Sequence, residues 1–269
     1  MSTAALFERL APRYDELWTD TAIGRAQRNA TWRVMDGLFR AGDRVLDIGC
    51  GTGEDAAHLM ARGISVRAID ASPAMVDRAR ARGVQAEVMR AEELSTLAGE
   101  TAQCHKVFEM RGSRPGGGLR TCGSARQFPQ NVRSGENCFF DGAISNFGAL
   151  NCVADLRSVA GALGALVRPG GRVAICTIGR FCAWEMLSYK RALRRLPGRA
   201  GDVYYPTVGQ LRRDFSKDFE LLYWKGIGML VPPSYVKLPA RVVKVLSRLD
   251  RLPFLRWCAD HRLLVFQRK

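Results

Sequence analysis

No run in this chain approaches the roughly 20 consecutive apolar residues that a helix needs to cross a bilayer. Its first thirteen residues carry no basic stretch leading into an apolar core and a small-residue cleavage site. A spanning or secreted protein is therefore not expected, and the chain reads as cytoplasmic. Histidine is scarce, with three in 269 residues, and none of the eight cysteines stands at C-x-x-C spacing from another. A zinc site or a disulfide framework is thus not expected, and no metal is assigned. Cys50, Cys152, Cys176 and Cys182 read instead as buried, unreactive thiols. Acid is in short supply too: 26 Asp and Glu face 41 Lys and Arg, a net charge of +15.

That charge is uneven. Residues 180–269 hold 19 Lys and Arg against 7 Asp and Glu, whereas the first 179 hold 22 against 19. A basic C-terminal third can attract an acidic acceptor, an anionic membrane surface or nucleic acid, or can simply be a solvated face. What the chain has in ordinary measure is the 47% hydrophobic and 25% charged content of a globular protein. Its length suits one domain over residues 1–269 with an elaborated cap.

The strongest local signal begins at Asp43. Arg44-Val45-Leu46-Asp47-Ile48 is a short apolar, β-branched run that leads directly into Gly49-Cys50-Gly51-Thr52-Gly53. Glu54 to Ala61 follows as a helix with Ala56, Ala57, Leu59 and Met60 on its apolar side, and Gly63 stops it. Glycines at alternate positions let a backbone approach a ligand closely. A second strand over Ile64–Ile69 ends in Asp70, and Ser72-Pro73 caps the next helix. An acidic residue about 20 positions past the glycines can accept hydrogen bonds from both hydroxyls of a ribose, which favours an adenosine-containing ligand.

Two such ligands compete, a dinucleotide and S-adenosylmethionine. The dinucleotide fingerprint is G-x-G-x-x-G and leaves a helix N-terminus for a pyrophosphate. This turn is G-x-G-x-G, and Asp47 ahead of it would repel a pyrophosphate while suiting the ammonium of a methionine moiety. Val45 to Gly53 resembles motif I of class I methyltransferases, and Ala68 to Met75 resembles their second motif. The ubiquinone/menaquinone-biosynthesis type of that family is also similar at Phe7-Glu8-Arg9-Leu10-Ala11-Pro12-Arg13-Tyr14-Asp15, its N-terminal lid segment. The same stretch can be read as an ordinary amphipathic helix with Tyr14 packed inward.

The resemblance implies a doubly wound, Rossmann-like α/β sheet of seven strands, six parallel and the seventh antiparallel, with helical cap elements. Val84–Arg90, Phe139–Ile144, Arg172–Thr177, Phe219–Trp224 and Leu263–Gln267 would be strands three to seven, with a helix over Asp155–Val167 and a turn at Arg168–Gly171. It implies S-adenosylmethionine as cofactor and assigns Asp47, Gly49, Cys50, Gly51, Gly53, Asp70, Ala71, Met75, Ala91, Glu92, Ser145 and Asn146 to its binding. Tyr14, Asn146 and His261 become the catalytic candidates, although His261, just before the last strand, reads more readily as structural. Tyr204 and Tyr205 are further candidate bases, while His58 and His105 have no evident partner. The N/D-P-P-Y/F tetrapeptide and the Pro-Cys nucleophile of nucleobase methyltransferases are absent. A small-molecule or lipid-like acceptor is therefore favoured over RNA, with a non-catalytic cofactor-binding protein as the remaining reading.

Two regions depart from the family. Residues 99–138 are rich in Gly, Ser and Arg without apolar periodicity and read as a disordered or irregular insert. Residues 180–210 and 228–260 read as cap elements on the acceptor side, including a helix over Trp184–Leu196. A second cap helix over Pro239–Leu249 has Val242, Val245, Leu246 and Leu249 as an apolar stripe beside Arg241, Lys244 and Arg248. Such a helix packs its stripe on the protein body or lies on an anionic membrane.

Overall fold

The structure, a computed structural model, describes residues 3–99, 139–180, 184, 203–233, 236, 238–250 and 259–269. The expected insert and the helix expected over Trp184–Leu196 lie outside the described residues, apart from Gly99 and Trp184. So do Cys182 and His105.

Seven strands form one sheet: β1 (Arg44–Ile48), β2 (Ser65–Asp70), β3 (Gln85–Val88), β4 (Phe140–Ser145), β5 (Val167–Ile178), β6 (Phe219–Ile227) and β7 (His261–Arg268). Their order is β3-β2-β1-β4-β5-β7-β6. β1 to β5 pair in parallel, and β7 runs antiparallel to both β5 and β6. The expected architecture is thus the observed one. The turn expected at Arg168–Gly171 is absorbed into β5 as an irregularity, where the register jumps from Phe140↔Val167 to Gly142↔Arg172. Arg168 Nε donates to Asp141 Oδ1 at 2.6 Å across that jump.

Strand side chains alternate between faces, and the two cores follow that alternation. Leu46, Ile48, Val173, Ile175, Leu264 and Phe266 belong to one core. Val45, Ile144, Ala174, Cys176, Leu263 and Val265 belong to the other. The first core is roofed by α5 (Leu156–Leu166) and α6 (Val208–Phe215), the second by α2 (Ala22–Leu38), α3 (Glu54–Met60) and α4 (Pro73–Ala81). Four of the helices, α2, α4, α5 and α6, start where a side chain caps them. Thr21 accepts from Gly24 N, Ser72 from Met75 N, Asp155 from Arg157 N and Ser158 N, and Thr207 forms a capping box with Gln210. Before α2, the helix α1 (Thr3–Leu10) passes through a single tight turn at Ala11–Arg13 into a wide π-type turn at Asp15–Thr19.

The helix expected over Pro239–Leu249 is present as α7 (Ala240–Leu249), and only part of its apolar stripe packs on the protein body. Val243 is buried and packs with Leu246 against Ile23 and Ala26 of α2. Val242, Val245 and Leu249 are 42%, 56% and 47% exposed. The seam is centred on Val243, which stands outside the expected stripe, so of the stripe only Leu246 turns toward α2. Among the described residues, no helix is long and apolar enough to cross a membrane.

Candidate active site

β1 lies between β2 and β4, so chain connections leave it in opposite directions and open a crevice at its carboxyl end. The turn that follows enters the left-handed region at Gly49 (φ 71°), Gly51 (φ 54°) and Gly53 (φ 81°). At Gly49 a side chain would also collide with the Cβ of Ala149. A Cβ on Gly51 would meet no protein atom and would stand in open space at the cavity wall. Gly49 N and Cys50 N both donate to Ile69 O, at 2.8 and 3.0 Å, and so fix the turn to β2.

A cavity of about 230 Å³ fills the crevice. One end is walled by Gly49–Thr52, by Asp70–Ser72 after β2, by Met75, and by Met89–Glu92 after β3. The other is walled by Phe7, Tyr14, Trp18, Arg28, Asp55, Asn146 and Phe147. Of the residues expected at the cofactor, Gly49, Cys50, Gly51, Asp70, Ala71, Met75, Ala91, Glu92 and Asn146 border this space. Asp47, Gly53 and Ser145 do not. Gly53 is the N-cap of α3, and Ser145 Oγ donates to Ile48 O at 2.8 Å, stitching β4 to β1.

Asp70 is held by backbone. Its Oδ2 accepts from Gly51 N at 2.8 Å and its Oδ1 from Ser72 N at 2.9 Å. Burial raises its carboxyl above the ordinary value, and these amides work against that rise. Asp47 lies deeper, 1% exposed, and its Oδ2 has no hydrogen-bond partner. Burial pushes its carboxyl well up, the charge of Asp55 adds to the effect, and Arg28 opposes it.

Side chains organise the other end. Asp55 at the start of α3 accepts from Arg28 Nη1 at 2.7 Å, Trp32 Nε1 at 2.6 Å and Asn146 Nδ2 at 3.1 Å. Burial acts to lower the Arg28 guanidinium, but Asp55, with Tyr14 and Glu54 adding to it, holds the group above its usual range. The guanidinium carbon lies 4.6 Å from the Trp18 ring centre and 5.1 Å from that of Phe147. Trp18 and Phe147 meet at 4.5 Å. Phe147 takes φ 51°, the only described non-glycine residue with positive φ, a strained conformation typical of sites.

Tyr14 borders the cavity, and burial raises its phenol to about 12, so it is neutral at physiological pH. His261 is not among the lining residues. Its ring stands edge-on to Phe147 at 5.4 Å, and its Nδ1 is 3.3 Å from Asp260 Oδ2. Tyr204 is tied through its backbone to Asn151, and neither it nor Tyr205 lines the cavity. Two other readings are corrected. Cys152 borders the cavity half-buried rather than fully buried, whereas Cys50 and Cys176 are buried as expected and burial raises both thiols. His58 does have a partner: its Nε2 is 2.7 Å from Asp36 Oδ1 and its ring stacks on Trp32 at 4.0 Å.

The N-terminal segment is fastened over the cavity. Asp15 accepts from Thr52 Oγ1 at 2.7 Å, Arg78 Nη2 at 2.8 Å and Arg82 Nη2 at 2.7 Å. Burial alone would raise its carboxyl, yet these donors hold it far below the usual carboxylate range. Glu8 Oε2 accepts from Ser72 Oγ and, at 3.2 Å, from Ala74 N. Arg28, Asp55, Trp18 and Thr52 were not anticipated as site residues. The available signal was the Thr21 cap followed by Ile23, Ala26, Ala30 and Val34 at helical spacing, which would have placed Arg28 on a helix.

The family described as a methyltransferase domain matches residues 7–219. The chain belongs to this family. Its members are S-adenosylmethionine-dependent methyltransferases, and the fold of this chain is that of class I. The 27-O-demethylrifamycin SV methyltransferase of Amycolatopsis mediterranei is 35% identical over 95 residues, 30% of this chain and 35% of that protein. The chain thus aligns with about a third of the length of the curated relatives it matches. Among solved structures, the methyltransferase bound to the Haloferax volcanii Trm112 activator has a TM-score of 0.59 at 16% identity, covering 97% of this chain and 96% of that one. The N-methyltransferase NodS of Bradyrhizobium japonicum, solved with S-adenosylhomocysteine, has a TM-score of 0.58 at 12% identity, covering 100% and 99%. At these identities the likeness is one of fold.

Proposed function

We propose that this methyltransferase acts on a small-molecule or lipid-like acceptor held in the aromatic end of the cavity, with S-adenosylmethionine along the glycine turn. The observation that carries the reading is one continuous cavity with two chemically distinct ends. Its aromatic end is roofed by Phe7, Tyr14 and Trp18, a chamber suited to a compact acceptor rather than to a folded macromolecule.

The residues fit the cofactor. Asp47 is a buried carboxyl with an unpaired Oδ2, and an ammonium group nearby would favour its ionised form. Gly51 leaves open the space that a Cβ would fill. Asp70 has each carboxylate oxygen oriented by one backbone amide and keeps lone pairs for ribose hydroxyls. Ala91 and Glu92 stand at the cavity wall where an adenine would lie. The bound cofactor supplies an electrophilic methyl on a sulfonium. The chain's own task is then to exclude water and to hold the acceptor in line with that methyl. Phe147 and Trp18 form the walls, and Asn146 is oriented by Asp55 beside them.

Calorimetric titration with S-adenosylmethionine and S-adenosylhomocysteine tests the reading. Micromolar binding is expected for the wild type, with affinity about a hundredfold lower for Asp70→Ala, from loss of hydrogen bonds to a charged group. A folded wild type that binds neither compound would overturn it.

A further inference from the structure

We infer that the acceptor presents an oxygen that is already anionic at neutral pH, a carboxylate or an acidic phenol or enol, and that Arg28 is the residue that selects it. The inference rests on the function proposed above and adds the acceptor's chemical class.

Two observations carry it. The first is what the aromatic end lacks: among the described residues, no histidine or lysine lines the cavity. Its one carboxylate, Asp55, is taken up by three donors, Arg28, Trp32 and Asn146. The Tyr14 phenol is neutral and can donate, but it is no base at neutral pH. His261 stands behind the edge of Phe147. An acceptor that must lose a proton before attack finds no group to take it among the described residues there, whereas one that arrives ionised needs none.

The second is Arg28 itself. It is the one cation at the aromatic end among the described lining residues, Arg90 belonging to the opposite wall. Its guanidinium carbon lies against the rings of Trp18 and Phe147, and its Nε has no hydrogen-bond partner. Asp55 binds through Nη1, so the pair leaves donors on the guanidinium uncommitted to that carboxylate. A planar, pre-oriented guanidinium suits a carboxylate or phenolate oxygen and repels an ammonium.

The chemistry balances without a base. A lone pair on the acceptor oxygen forms the new bond to the methyl carbon, and the sulfur–carbon bond breaks with its electrons going to sulfur. An anion and a sulfonium become a neutral ester or ether and a neutral thioether. The product no longer carries the charge that Arg28 attracts, which favours its departure.

Binding to the protein saturated with S-adenosylhomocysteine is the test, using three probes of matched size: benzoate, benzyl alcohol and benzylamine. Benzoate is expected to bind at least tenfold more tightly than benzylamine, with benzyl alcohol between them. Arg28→Gln should abolish that order, and Asp55→Asn, which relieves Arg28 of its counter-charge, should tighten benzoate. Should Arg28→Gln fail to fold with Asp55 left unpaired, the Arg28→Gln/Asp55→Asn double variant removes both charges, and the order should be lost there too. Equal or tighter binding of benzylamine, or a benzoate affinity unchanged in these variants, would overturn the inference and leave the proposed function standing. Failure of S-adenosylhomocysteine itself to bind would instead strike the proposed function.

Discussion

At its glycine-turn end the cavity is walled by backbone: positive-φ glycines, amides that clamp Asp70, and a turn hydrogen-bonded to β2. At its aromatic end it is walled by side chains from segments far apart in the chain, with Trp18 and Arg28 from the N-terminal region and Asn146 and Phe147 from the end of β4. Backbone geometry admits few residue types, so the first end is rigid in both structure and sequence. Side-chain walls can be exchanged one at a time, so the second end is where acceptor preference can change while the fold stays the same.

Three substitutions sharpen or break this contrast. Gly49→Val should have the largest effect. It forces a β-branched residue to φ 71° and drives its Cβ into Ala149, a cost of about 3 kcal/mol or more in urea unfolding, with loss of S-adenosylhomocysteine binding. A mild effect would mean that the glycine-turn end is not backbone-limited.

Asp15→Ala comes next, at about 2 kcal/mol, because three donors lose their acceptor while the exposure of Arg78 and Arg82 moderates the loss. The folded carboxyl titrates below its unfolded value, so its contribution is complete above about pH 4 and fades as pH falls further. Thermal melts of wild type and variant should therefore differ at pH 7 and converge in strong acid. Cofactor affinity should suffer less than with Gly49→Val, since Asp15 ties the N-terminal segment to Thr52 and α4 without setting the backbone conformation of the glycine turn.

Asp47→Asn should have the smallest effect on stability and the opposite sign. The folded carboxyl titrates above its unfolded value, so the ligand-free protein loses stability as pH rises from about 4 through the raised folded value. Removing the charge should raise the melting temperature at pH 7 by about 3 °C, roughly 1 kcal/mol in a domain of this size. The same change should weaken S-adenosylhomocysteine binding. A variant that is both less stable and unaltered in binding would remove Asp47 from the site.

The contrast also explains what could be read from the sequence. β1, the glycine turn, α3 and Asp70 were legible because turn chemistry and a buried strand leave a local signature that later packing does not alter. The helix α2 was missed because its inward face carries Gln27, Arg28 and Thr31 among its apolar residues, which blurs the amphipathic pattern. Arg28 is buried there only because Asp55, Trp18 and Phe147 converge on it, and no local window contains all four. In α7 the periodicity gave the helix, but not which part of its stripe meets α2. His261, readable from its place before the last strand as either a base or a structural residue, stands edge-on to Phe147 and outside the cavity lining.

The strand order carries a consequence for how the molecule is completed. β6 joins the sheet through β7, and β7 is the later of the two along the chain. During vectorial synthesis β6 therefore leaves the ribosome with no edge to bind and waits for His261–Arg268 to bridge it to β5. A chain interrupted before residue 261 forfeits two strands rather than one and exposes the flank of β5 as an open edge, a template for aggregation. Premature termination late in this reading frame should thus yield insoluble protein, although the whole glycine turn and its neighbours have already been made.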